Sequence, residues 1–317
     1  MDLIYTNSKL IDQGVLDNYA FDLSFGASEN DFELTLGINP ILESGAMTYI
    51  EGTEYGGIVD GRKTTTNGET ITYVGRTWHG ILNSKIIEPD TGEDYLVVSG
   101  DANEVMLMLV NRLGLGSFFS VASELSGINI SKYQFSRYCK GYDGIVSMLL
   151  SVGAKLKMEW VDRSVCLCAL PIVDYTEYPV DGDTARLSVE QYEKKVNHLI
   201  CLGKGDLANR EVIHLYVDQF GRIGDVQYYT GLDEITEKYD NSNSEDLRSD
   251  GIKNLLELRD NDKAEISIDE NETFSYDIGD IVGSTELITG VSVAASVSQK
   301  IIKINNGSVT IEYKMGG

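Results

Sequence analysis

Apolar and polar residues alternate at period two through most of the first hundred positions. YAFDLSFG (Tyr19 to Gly26) and DFELTLGI (Asp31 to Ile38) flank the polar turn ASEN, which predicts a hairpin. GAMTYIEG, YGGIVDGRKTTT and ETITYVGRTWHGILNSKII continue the pattern, with glycines placed for turns, bulges or close backbone approach. Trp78 and His79, as neighbours on a strand, are expected to divide between core and solvent. At SGDANEVMLMLVNRLGLGS the period changes. Met106, Leu109, Val110 and Leu113 recur at helical spacing, Asp101 with Glu104 three residues on fits a capping arrangement, and Gly114 suits the stop.

The next seventy residues mix element types. GINISKYQFSRY predicts a strand, GYDGIVSMLLSVGA a short helix, and KLKMEWVDRSVCLCALP a hairpin turned at DRS. PIVDYTEYPVDGD is polar and proline-marked, as a linker would be. Strands then return in TARLSVEQ, KVNHLICLGKG and NREVIHLYVDQFGRIG, where Val212, His214 and Tyr216 alternate with Ile213, Leu215 and Val217. DNSNSEDLRSDGIKNLLELRDND leads from a polar loop into an amphipathic helix. Ser244 is the expected cap, Leu247, Ile252, Leu255, Leu256 and Leu258 are the anchors, and Gly251 weakens the middle. Asn306-Gly307 in INNGSV is a strong hairpin signal between the last two strands.

These elements predict an α+β protein that is mainly β, with two β-barrel or sandwich domains around a mixed module. The expected boundaries are 1–99 for the first β domain, 100–180 for the α+β module, and 181–317 for a second β domain with an inserted helix.

Composition narrows the function. With 317 residues the chain can bury more than one core. Its formal charge of −24 opposes specific nucleic-acid binding, because affinity for phosphates comes from cations that displace condensed counterions. An acidic wall past which DNA slides is compatible with that charge. The opening residues alternate like strands instead of forming a leader, and no apolar run approaches the ~20 residues of a membrane helix, so stable membrane insertion is not expected. Cys139, Cys166, Cys168 and Cys201 lack a paired framework. Cys166 and Cys168 would share one strand face as reduced core thiols.

Candidate chemistry does not assemble from the motifs. His79 has no nucleophile or orienting partner in sequence, and no GxSxG elbow occurs. His198 and His214 are not in an HExxH arrangement. GKGDLANR lacks the P-loop pattern and reads better as a hairpin bend. DNSNSEDLRSDG lacks the glycine and glutamate of a calcium loop. Phe118 and Phe119 fit a core or an interface. No catalytic, cofactor-binding or metal-ligating residue is therefore assigned, and no cofactor is expected.

Four stretches taken together, GRTWHGIL, IEPDTGEDYLVVSGDANEVM, LANREVIHLYVDQFGRI and YDIGDIVG, resemble the baseplate hub proteins of phage tails. The likeness is to hubs of contractile tails, both in Gram-positive myophages and in PBSX-type, phage-tail-like bacteriocin particles. It runs from about Thr77 to the end. The resemblance implies tail-tube-like β domains and a non-enzymatic homotrimer, a symmetry adaptor between a sixfold tail tube and a threefold central spike. Implied partners are the tube protein, the spike protein, baseplate wedge proteins and the tape measure protein. Its implied location is the baseplate of a virion or tail-like particle assembled in the host cytoplasm. The chain stops soon after its last hairpin, at IEYKMGG, so a plain hub is expected, with any wall hydrolase supplied by another polypeptide. The alternative is a tail-associated peptidoglycan-degrading enzyme; a carbohydrate-binding tail component is a third class.

Overall fold

The computed structural model describes residues 1–65, 68–178, 185–190, 194–259, 263–268, 275–285 and 292–316. The chain divides into two compact units: a large one from Met1–Leu187 with Glu265–Gly316, and an inserted one from Ser188–Ala264. No described helix is long and apolar enough to cross a membrane.

The large unit is built on a ten-stranded sheet. Its strands run in the order Asp12–Leu16, Leu3–Thr6, Met47–Tyr49, Gly56–Thr64, Thr70–Thr77, Asp31–Gly37, Ala20–Gly26, Ser292–Asn305 and Ile281–Thr285, with Ser308–Gly316 also paired to Ser292–Asn305. The ASEN hairpin forms as expected, with Leu23 opposite Phe32 and Phe21 opposite Leu34. So does the Asn306-Gly307 turn, where both residues take positive φ and Asn305 faces Ser308. One face of this sheet buries Phe21, Leu23, Phe25, Phe32, Leu34, Ile302 and Ile304 in a common core.

Three helices and a hairpin form a second core in the same unit. They are α1 (Trp78–Asn83), α2 (Ala102–Arg112), α3 (Gly141–Leu150) and the strands Ala154–Val161 and Ser164–Pro171. Asp101 caps α2 by accepting the Asn103 N–H at 2.9 Å, and its carboxylate also accepts N–H groups of Ser126 and Gly127. Gly114, at φ 71°, ends that helix as the C′ residue. The DRS hairpin turns on Asp162 and Arg163, both in the left-handed region.

The inserted unit is a four-stranded sheet in the order Ile223–Gly224, Val212–Val217, His198–Leu202, Thr236–Asp240, with α4 (Leu247–Arg259) on one face. Leu199, Cys201, Leu215, Val217, Leu247 and Leu255 form its small core. GKGDLANR is the connection between two antiparallel strands, as expected.

The mainly β, α+β class agrees with the sequence, and the described strands form open sheets rather than a closed barrel. The boundaries differ. The expected break near residues 99–100 falls inside one unit, and 181–317 is not one domain. Its last strands belong to the sheet begun by the first residues: Ile302 pairs with Leu23 and Ile304 with Phe21. Local periodicity reports that a segment is a strand but not which distant strand it joins. Nor is PIVDYTEYPVDGD a simple linker. Val173 and Tyr175 exchange backbone hydrogen bonds with Ile281 at 3.0 and 2.8 Å, which ties this stretch to the large unit; its positions 179–183 lie outside the described residues.

Candidate functional site

The residues singled out for chemistry fall in different places: Trp78 and His79 are buried in the large unit, and His198 and His214 lie in the inserted one. GRTWHGIL does not continue as a strand past Thr77. Thr77 caps α1 by accepting the Gly80 N–H at 3.3 Å, so Trp78 and His79 sit on one helix turn and are both buried. The expected split between core and solvent is therefore wrong, because it assumed a strand. Trp78 packs on Trp160 at 5.4 Å and on Phe118 at 5.7 Å. His79 stacks on Phe25 at 4.2 Å with the rings parallel within 2°, and meets the edge of Tyr142. Burial, then the nearby Lys300 charge, holds its imidazole at about 3, so it is neutral at pH 7.

The cysteines are free, yet only Cys201 is in a core. Val165, Leu167 and Ala169 take the inner face of their strand, which leaves Cys166 and Cys168 half-buried on the other. In α4, the Asp246 carboxylate accepts the Ser249 N–H at 3.0 Å and is the cap, while Ser244 donates its hydroxyl to Asp250 instead. Gly251 does more than weaken the helix. A Cβ there would stand 2.5 Å from Cys201 Sγ, so glycine is what lets α4 lie against the sheet.

A buried charge network was not anticipated. Lys155 and Lys157 share the face of their strand opposite Ala154, Met158 and Trp160, and that face is covered by the segment Tyr276–Asp280. Lys155 Nζ donates to both oxygens of fully buried Asp280, at 2.8 and 2.7 Å, and lies 3.0 Å from Asp277. Lys157 reaches Asp277 at 3.1 Å. Asp280 also accepts the backbone N–H groups of Val173 and Asp277, each at 2.9 Å. On Ser292–Asn305, Lys300 has the same parity as Ile302 and Ile304 and so points into the core face. There it pairs with Glu54 and lies 3.6 Å from Asp277.

The electrostatics follow from this packing. Burial alone would raise the Asp277 carboxyl, but Lys300, Lys157 and Lys155 bring it down to about 2. Burial opposes the charge on Lys300; Glu54 in the first place, then Tyr55 and Asp277, outweigh it and raise its value. Such a network stabilises little compared with an apolar core, but losing one partner strands another charge at a cost of about 3–5 kcal/mol. It also sets register, since a one-residue slip would turn Lys300 away from Glu54 and Asp277. The only sequence signal was an alternating run, QKIIKIN, with a lysine on its apolar parity.

The inserted unit holds a second polar cluster. His198 and His214 hydrogen-bond through Nε2 and Nδ1 at 2.8 Å, and His198 Nδ1 meets Glu234 Oε1 at 2.7 Å. Tyr216 stacks on His198 at 4.4 Å. The sequence placed both histidines on neighbouring strands without revealing that they touch. Among the described residues, no three His, Cys, Asp or Glu side chains are grouped to hold a metal ion. DNSNSEDLRSDG serves as the entry to α4.

No family model matches the chain, and no curated protein matches it in sequence. Solved structures do. The 43 kDa tail protein of prophage MuSo2 from Shewanella oneidensis aligns at TM-score 0.58 and 12% identity, over 100% of this chain and 98% of its own. Prophage tail protein gp18 from Listeria monocytogenes aligns at 0.55 and 13%, over 100% and 95%. The fold is that of phage tail proteins. A chain of the phage P2 baseplate in its activated conformation shares this tail-protein fold at 0.53 and 10% identity, over 99% and 98% of the two chains.

Proposed function

We propose that this chain is the structural hub of a baseplate, in a contractile phage tail or a tail-like bacteriocin. One observation carries the proposal: tail and baseplate proteins align with nearly all of this chain and nearly all of their own length. In this reading the protein is a homotrimer and works by assembly, joining a sixfold tube to a threefold spike. The match of symmetries would come from two β modules per subunit, the ten-stranded sheet of the large unit and the four-stranded sheet of the inserted one. Tube, spike and wedge proteins and the tape measure protein are its proposed neighbours. Its place would be the particle baseplate, reached by assembly in the host cytoplasm.

The neighbours favour a structural role over the peptidoglycan-degrading alternative, since those that align over the whole chain are tail and baseplate proteins. Native mass spectrometry with electron microscopy of tails tests the proposal. A species of three 35.0 kDa chains, located at the tube–spike junction, is expected. A lone monomer absent from tails, or wall hydrolysis by the purified chain, would overturn it.

A further inference from the structure

Two of the chain's three histidines meet on the face of the inserted sheet turned away from α4. Strand alternation sets this. Leu199, Cys201, Leu215 and Val217 face the helix, so His198, His214 and Tyr216 face the other way. His198 lies directly across from Tyr216, which makes His214 its diagonal neighbour, at a separation that long side chains bridge. The two rings bring His198 Nε2 and His214 Nδ1 within 2.8 Å. His198 is buried, with its ring packed on Tyr216 at 4.4 Å, whereas His214 is exposed.

The other nitrogen of His198 is committed. Its Nδ1 meets Glu234 Oε1 at 2.7 Å and Thr236 Oγ1 at 3.2 Å. An ionised carboxylate only accepts, so Nδ1 carries the hydrogen and the Nε2 lone pair is directed at His214. Glu234 is steadied in turn by the Gln227 amide at 2.9 Å. A carboxylate behind one ring nitrogen, with the opposite nitrogen left basic, is the arrangement that orients histidines on metal ions. In the neutral pair His214 Nδ1 donates to that lone pair. Moving its hydrogen to the exposed Nε2, the other neutral tautomer, leaves two lone pairs side by side, and these repel unless a cation takes both.

We propose that His198 Nε2 and His214 Nδ1 form a two-nitrogen site for a divalent transition-metal ion of the copper(II) or nickel(II) class, with Glu234 as the positioning residue behind His198. With metal–nitrogen bonds of about 2.0–2.1 Å, two nitrogens at right angles on one ion stand about 2.9 Å apart, against about 3.3 Å for tetrahedral ligation. The observed 2.8 Å matches the first, the geometry of square-planar and octahedral ions. His214 is the ring that turns to aim its lone pair at the ion, while His198 stays held by Glu234 and Tyr216. Water completes the coordination, since no third His, Cys, Asp or Glu is grouped with the pair among the described residues. The chain's formal charge of −24 favours the approach of a cation. Lys238 is opposite Ile200, which in turn is opposite His214, so it stands two strand spacings away, about 10 Å.

Copper(II) titration of the full chain, followed by calorimetry and electron paramagnetic resonance at about pH 7.5, where imidazole is neutral, tests this. One ion should bind per chain, with couplings from a pair of imidazole nitrogens. Glu234→Gln should weaken binding about tenfold and keep both couplings, as loss of an orienting carboxylate does. His214→Gln and His198→Gln should each weaken it further and leave a single imidazole coupling. Replacing Cys166 and Cys168 together by serine should change nothing, which separates the histidine pair from ligation by thiols. Unaltered hydrogen exchange at Leu199–Cys201 shows that a variant is folded; should His198→Gln not be, His214→Gln at the exposed position carries the test. Absence of binding, a spectrum without two imidazole nitrogens, affinity retained in folded His214→Gln, or zinc(II) held more tightly than copper(II) would overturn the site.

Discussion

The two units solve the problem of holding strands together in opposite ways. In the large unit two cores enclose aromatic stacks around Trp78 and Phe25, and charges are buried with them. In the inserted unit six side chains form the core, and polar contacts at the sheet's other face remain near water. A lysine tolerated in the first case, Lys300, meets its carboxylates deep inside. The histidines of the second meet theirs at a loop that solvent reaches. Long-range pairing fixes register in the large unit, whereas the inserted unit is held by pairing among segments near one another in sequence.

The strongest way to break this contrast is Asp280→Ala. It strands Lys155 against Asp277 alone and removes the acceptor for two backbone N–H groups. We expect a loss of about 3–5 kcal/mol in denaturant unfolding of the large unit, with hydrogen exchange of α4 unaltered. Equal weakening of both units would show that they are not energetically distinct.

Acid is the next largest lever. His79 is held at about 3 when folded and titrates near its ordinary value when unfolded, so the unfolded chain binds the extra proton between these values. Stability from this group is complete above the unfolded value and falls as pH drops toward 3. Between neutrality and about pH 4.5 the loss should be roughly 2–3 kcal/mol in the large unit, and His79→Phe should flatten it. Asp277 adds a further loss only below the ordinary carboxylate range, down through about 2.

Smaller effects sharpen the picture of the inserted unit. Gly251→Ala would favour an exposed helix by up to about 1 kcal/mol. Here the methyl meets Cys201 at 2.5 Å, and a net loss of about 1–2 kcal/mol is expected. Asp246→Ala removes the α4 cap and should cost about 1 kcal/mol. Both should speed exchange of Leu199, Cys201 and α4 while leaving Phe21 and Ile302 protected.

Much of the local structure was legible. The turns at ASEN, DRS and Asn306-Gly307, the Asp101 cap and the Gly114 stop each rest on a few neighbouring residues, and each formed. Trp78-His79 was misread because GRTWHGIL offers a strand-like alternation, while Thr77 captures the Gly80 N–H and starts a helix. Ser244 was expected as the α4 cap, but Asp246 next to the helix holds the Ser249 N–H, a difference that residue type does not reveal. The buried network was invisible because a lysine and an aspartate 125 positions apart look like ordinary surface charge.

The amino-acid order alone determined the position of most strands and helices, though not the start of α1 or the cap of α4, and the mainly β class, since these follow from side-chain period and turn chemistry within a few residues. Only the tertiary structure decided that the first and last strands share one sheet, that Lys300 points inward to Glu54 and Asp277, and that His198 touches His214. Those facts depend on which distant segments lie beside each other, and such pairings are set by the summed burial of whole faces, which no local window contains.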